Sequence, residues 1–203
     1  MKKTKFLFDL DGTVTKSEIL PVIAKAAGIY DEIQFLTKHT IEGSIPFEMS
    51  FRLRVKLLES VDREVILEAI HKVPFFEFLS EFIRFNKDSC AIVTGNLDIW
   101  ISDYVSNNLG CELHCSLSEQ DINKNSIKIT KMMNKQFVAN KYKSEGYRVI
   151  AIGDGMGDVG MFEAADLGIA FAGVHSPIES LLSMSDYMVK SEESLCKILK
   201  ELL

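Results

Sequence analysis

The stretch Phe6-Leu7-Phe8-Asp9-Leu10-Asp11-Gly12-Thr13 decides how the rest of the chain is read. A compact apolar run stops abruptly at two aspartates and a glycine, which is the pattern of a buried strand entering a loop. In open α/β sheets chemistry collects at such strand ends. Asp9 and Asp11 lie two apart, and Gly12 lets the backbone turn sharply and a ligand come close. An aspartate pair also serves ordinary turns and helix caps, so the rest of the chain has to supply the support.

A second apolar strand, Ile150-Ala151-Ile152, runs into Gly153-Asp154-Gly155-Met156-Gly157-Asp158, where two more carboxylates sit on a glycine-rich loop. If the two strand ends are neighbours, three or four acids converge. That is costly unless a hard cation neutralises them, and oxygen ligands beside a bound phosphate suit magnesium. The same loop matches a dinucleotide fingerprint as Gly155-x-Gly157-x-x-Gly160. Asp154 and Asp158 would then face the pyrophosphate with like charge, and the next strand ends at Ala172-Gly173 with no acid for a ribose. A third strand end, Ile92-Val93-Thr94-Gly95-Asn96, offers a hydroxyl and backbone N–H groups to a phosphate, or forms a plain turn before a helix. Lys135, one helix ahead of the strand at 149–152, could cancel phosphate charge or stand in solvent.

Between residues 17 and 73 the pattern is helical, with Ile19, Val22, Ile23 and Ala26 on one face and Phe51, Val55 and Leu58 on another. After Pro74 helices and strands alternate: helix 75–85, strand 90–93, helix 100–109, strand 112–116, helix 136–144, strand 149–152, a short helix to 165, strands near 167–171 and 187–189, and an amphipathic helix 195–203. That alternation is the grammar of a parallel sheet. Residues 122–132, with Asn123-Lys124-Asn125-Ser126 at a turn, read as a hairpin. The fold expected is α/β: a Rossmann-like three-layer core of residues 1–15 and 75–203, with a helical cap of residues 16–74 inserted after the first strand.

With 203 residues, 47% of them hydrophobic, the chain can bury a sizeable core. A net charge of −6 supplies no basic excess for gripping nucleic acid. No stretch is long and apolar enough to span a bilayer, and Lys2, Lys3 and Lys5 do not open a signal peptide because Asp9 and Asp11 cut the apolar run. Cys90, Cys111, Cys115 and Cys196 form no CxxC pair, which points to a reducing cytoplasm; Cys111, His114 and Cys115 are given no metal role.

Taken together, Asp9-Leu10-Asp11-Gly12-Thr13, Thr94, Lys135 and Gly153-Asp154-Gly155 with Asp158 resemble the motif set of the haloacid dehalogenase superfamily. The resemblance implies a magnesium-dependent phosphatase acting on a small phosphomonoester. Asp9 would be the nucleophile that forms an aspartyl phosphate, and Asp11 the general acid and then base. Magnesium would lie between Asp9, the Asp11 carbonyl and Asp154, with Asp158 supporting it, while Thr94, Gly95 and Lys135 hold the phosphoryl group. Within the superfamily the pattern is similar to the phosphoserine phosphatase branch. By that likeness Glu18 would take the substrate amine, Arg54 its carboxylate, and Phe47 would close the pocket. Two positions depart: the branch usually carries Ser-Gly-Gly where Thr94-Gly95-Asn96 stands, and Asn where Gly157 stands. A phosphatase or phosphotransferase acting on another small phosphorylated metabolite, and a catalytically silent scaffold, are the other functions compatible with these residues.

Overall fold

The computed structural model describes residues 2–121 and 126–203. The first strand, β1 (Thr4–Phe8), leads into four consecutive helices: α1 (Ile19–Ala26), α2 (Tyr30–Ile41), α3 (Phe47–Leu58) and α4 (Arg63–His71). The chain then builds α5 (Glu77–Phe85), β2 (Cys90–Leu97), α6 (Asp98–Asn108), β3 (Glu112–Asp121), β4 (Ser126–Lys131) and α7 (Lys135–Ser144). It ends with β5 (Arg148–Gly153), α8 (Val159–Ala164), β6 (Leu167–Phe171), α9 (Glu179–Leu182), β7 (Tyr187–Val189) and α10 (Glu192–Glu201).

Among the described residues the strands form one sheet in the order β4-β3-β2-β1-β5-β6-β7, parallel throughout except for β4. The period of two in the central strands sorts the core into layers. Phe6, Phe8, Ile92, Ile150 and Ile152 face one side, with α5, α6, α10 and the inserted helices; Leu7, Ala91, Val93, Val149 and Ala151 face the other, against α7, α8 and α9. No helix among the described residues is long and apolar enough to cross a membrane.

The inserted helices leave and rejoin the sheet layer through two connectors that run side by side. Thr15 and Phe75 form an antiparallel bridge, the Lys16 N–H donates to Pro74 O at 2.7 Å, and the Phe76 N–H donates to Val14 O at 3.0 Å.

Three elements differ from expectation. Strand β2 does not stop at residue 93 but runs on through Thr94-Gly95-Asn96, with an irregular register to β3 between Val93 and Leu97. The Ser116 hydroxyl donates to Gly95 O at 2.8 Å and pins this irregular stretch in the sheet, where turn propensity alone would have ended the strand. The hairpin is the far half of β3 paired with β4, Leu117 opposite Lys131 and Asp121 opposite Ser126; part of the expected turn lies outside the described residues. The short helix α9 was not anticipated.

Candidate active site

Parallel pairing delivers the three acidic or hydroxyl-bearing strand ends to one edge of the sheet. Phe8 is opposite both Ile152 of β5 and Ile92 of β2, so Asp9, Gly153-Asp154 and Thr94 emerge side by side. The Asp9 N–H extends this pairing by donating to Ile152 O at 2.9 Å. Strand β1 is flanked by β2, from which the sheet grows one way, and by β5, from which it grows the other, which makes this edge the switch point of an open α/β sheet.

Lys135, the first residue of α7, reaches from beneath this edge. Asn134 caps that helix by accepting from the Phe137 N–H at 2.9 Å, which fixes the turn from which Lys135 projects. Its ammonium lies 2.5 Å from Asp9 Oδ1 and 2.7 Å from Asp158 Oδ1. Burial works to lower the Lys135 ammonium, but Asp158 and Asp9 more than offset it and hold the group above the usual lysine range. The second oxygen of Asp158 accepts from the N–H groups of Asp154 and Gly155 at 3.0 and 3.1 Å, so this carboxylate shapes the loop around its neighbour.

Asp154 is only 3% exposed, and its hydrogen-bond partner is the Thr13 hydroxyl at 2.9 Å. Among the described residues no cation pairs with it. Burial, followed by Asp9 and Asp158, pushes its carboxyl well above the ordinary range. Asp9, Asp154 and Asp158 each bring a carboxylate oxygen within 4.8 Å of the others. A buried set of hard oxygen donors with one member lacking a cationic partner fits a small divalent ion such as magnesium. Gly12 keeps room for it: its φ is +71°, and a Cβ there would stand 3.0 Å from Asp154 Oδ2.

Asp11 is held at both oxygens. Oδ1 accepts from the Ile19 N–H at 2.8 Å, at the start of α1, and Oδ2 from Asn96 Nδ2 at 2.5 Å, with the Thr94 hydroxyl at 3.4 Å. Burial and then the nearby Glu18 carboxylate push Asp11 up to about 7, against the opposing pull of the Ile19 N–H, Lys135 and Arg54. A carboxyl that retains a proton near neutrality can donate it.

The inserted helices roof this edge. Asp9, Asp11, Glu18, Phe47, Arg54 and Lys135 all line one cavity of about 170 Å³ between the two layers, which is room for one small ligand. Phe47 stacks on Phe51, with ring centroids 5.3 Å apart, and its ring tip presses onto Gly95: a Cβ there would lie 2.2 Å from Phe47 Cζ. Met156, which also lines the cavity, presses on Gly43 in the same way. Gly95→Ala is therefore expected to push Phe47 out of the cavity, raising KM about 10-fold at nearly unchanged thermal stability, as steady-state kinetics beside a melting curve would register.

The family model for haloacid dehalogenase-like hydrolases matches residues 6–166. The chain belongs to the haloacid dehalogenase-like hydrolase family. A phosphoserine phosphatase of Methanocaldococcus jannaschii is 32% identical over 84% of this chain and 86% of that protein. One from Archaeoglobus fulgidus is 28% identical over 98% of this chain and 60% of its own length, so the chain spans under two thirds of that relative. Among solved structures, a substrate-bound phosphoserine phosphatase complex superposes with a TM-score of 0.83 at 28% identity, covering 99% of both chains. A phospho-aspartyl intermediate analogue of phosphoserine phosphatase gives 0.81 at the same identity and coverage. The chain is an enzyme of the phosphoserine phosphatase-like branch, a phosphoric monoester hydrolase.

For a haloacid dehalogenase-like hydrolase, two features of this site escaped the sequence. His175, which belongs to none of the motifs, places Nε2 3.1 Å from Glu18 Oε1, and the hydrogen bond to Glu18 raises its pKa. No local pattern marks it; only the parallel pairing of β6 with β5 brings the loop after β6 to the same sheet edge. Asn96 was noted only as a departure, yet its amide is on Asp11. Arg54 is 5% exposed and donates to Thr37 Oγ1 at 3.1 Å and to Ser50 O at 3.4 Å; no carboxylate pairs with it among the described residues.

Proposed function

We propose that the enzyme hydrolyses O-phosphoserine to serine and phosphate through an aspartyl phosphate on Asp9. The observation that carries the substrate class is Arg54, a cation buried in the roof of the cavity that, among the described residues, is hydrogen-bonded only to neutral oxygens and has no carboxylate in an ion pair with it. A substrate carboxylate satisfies it with charge-assisted hydrogen bonds. Glu18, on the same cavity, takes the ammonium at the other end of the amino acid.

In the first half of the reaction Asp9 attacks phosphorus, and the serine oxygen departs with the proton of Asp11. In the second half Asp11 removes a proton from water as it attacks the aspartyl phosphate. Lys135 and the groups around Thr94 and Gly95 balance charge on the phosphoryl oxygens. Asp9, Asp154 and the Asp11 carbonyl, with Asp158 bracing the loop, would hold magnesium, which would supply Lewis-acid neutralisation of the phosphoryl charge. The helices of residues 16–74 act as a cap that opens for substrate, the paired connectors at Thr15 and Phe75 serving as its hinge, and closes to keep water out until serine leaves. A reducing, cytoplasmic setting belongs to the same proposal and is supported by four free thiols.

The contact between His175 and Glu18 favours a second substrate, a small phosphorylated acid without an amine, because Glu18 already has a partner. A panel of phosphomonoesters with magnesium separates the two: turnover of O-phosphoserine well above its amine-free analogues supports the first, the reverse order the second. In that assay Arg54→Met, which keeps much of the side-chain length but removes the guanidinium that lies 5.8 Å from the centre of the Phe51 ring, is expected to raise KM for O-phosphoserine about 10- to 100-fold, the equivalent of one or two charged hydrogen bonds. An ester lacking a carboxylate should show almost no change.

A further inference from the structure

We propose that Asn96 is a positioning residue for the proton that Asp11 delivers to the departing alcohol. The inference rests on Asp11 acting as general acid, as set out above.

Asn96 is 4% exposed and stands in the irregular end of β2, where its own N–H donates to Thr94 Oγ1 at 3.2 Å. Backbone and side chain are thus both committed, and Nδ2 is directed at Asp11 Oδ2 at 2.5 Å. The other Asp11 oxygen is tied to the Ile19 N–H, which belongs to the first turn of the roofing helices. One donor comes from the sheet and one from the roof, so the plane of the carboxyl is fixed only while both are present. Without the Asn96 amide, the remaining donor to Oδ2 among the described residues is the Thr94 hydroxyl at 3.4 Å, too far to hold the plane. The carboxyl could then rotate about its bond to the roof, and the proton would no longer face the leaving oxygen.

Proton delivery matters in proportion to how poor the leaving group is. Serine departs as an alcohol and needs the proton as the bond to phosphorus breaks, whereas nitrophenolate departs unprotonated near neutrality. In a mechanism with a covalent intermediate, kcat/KM reports steps up to and including loss of the leaving group, so it isolates this half of the reaction. Asn96→Ala and Asn96→Gly are therefore expected to lower kcat/KM for O-phosphoserine about 10- to 100-fold, the scale of a small misplacement of a catalytic group. For p-nitrophenyl phosphate the loss should be under about 3-fold. The two esters are compared on one preparation, so a fraction of misfolded protein cancels from the ratio.

The experiment is kcat/KM for both esters with saturating magnesium in wild type, Asn96→Ala, Asn96→Gly and Asp11→Asn, together with Asp11→Asn/Asn96→Ala. The proposal expects Asp11→Asn and each Asn96 variant to widen the gap between the esters, and the double variant to be no worse on O-phosphoserine than Asp11→Asn alone. If Asp11→Asn lowers both esters equally, Asp11 is not the acid, and this inference falls with that assignment. If Asp11→Asn separates the esters while the Asn96 variants lower both alike or neither, the assignment of Asp11 stands and the role of Asn96 is overturned.

Discussion

Asp9→Asn is expected to lower phosphate release by at least about 10⁴-fold while leaving the protein folded, since removing a nucleophile forfeits the covalent route altogether. The structure explains why the two effects separate. One oxygen of Asp9 is held by the Leu10 N–H at 2.7 Å and by Lys135, and among the described residues no hydrogen bond holds the other, the one proposed to attack. A carboxamide of the same shape keeps the acceptor but loses the anion. Lys135 retains Asp158 as a partner, and the repulsion that Asp158 and Asp11 exert on Asp9 disappears. Turnover assays beside thermal melts check this: a melting temperature equal to or above that of the wild type, with activity at background, is the expected pair.

Removing divalent cations is expected to abolish turnover and to lower stability, and Asp154→Asn should erase both dependences. At magnesium about 100-fold above its dissociation constant, binding to the folded state alone adds roughly 2.7 kcal/mol, or about 5 to 10 °C in melting temperature for a chain of this size. The metal-free protein should also show a pH dependence of definite sign. Burial and the carboxylates of Asp9 and Asp158 raise the pKa of Asp154 in the folded state, so that state binds the proton more tightly than the unfolded chain does. Stability contributed by this group is complete below the unfolded aspartate value and is lost as pH climbs through the raised folded value. Asp154→Asn should therefore melt higher than wild type at pH 8 without metal, with a flatter pH profile, and gain nothing from magnesium. Calorimetry with and without a chelator at pH 5 and pH 8 measures all three.

Much of this site was legible because parallel strands place their chemistry at one end. The run Phe6-Leu7-Phe8 and the run Ile150-Ala151-Ile152 could be recognised as buried by composition alone, and the acids that follow them had to emerge on one edge if the strands were neighbours. What could not be read depended on contacts between distant segments. The far half of β3 is largely exposed and polar, so no hydrophobic period marked its pairing with β4. Thr94-Gly95-Asn96 carries turn chemistry, and Ser116 across the sheet holds it in β2. His175 has no local pattern at all; its meaning comes from Glu18, which lies far away in sequence at the entrance to the inserted helices. Arg54 could be placed on a helix face, but whether that face looked to solvent or to a cavity was a question of tertiary packing.

A phosphoryl group carried on Asp9 can be trapped and weighed. The enzyme is mixed with excess O-phosphoserine and magnesium, quenched in acid within milliseconds, and its peptides are weighed. A phosphate-sized mass increase is expected on the peptide containing Asp9, removed by hydroxylamine and missing from Asp9→Asn. Rapid turnover with no such adduct at any quench time, or an adduct on another residue, would contradict the route through Asp9.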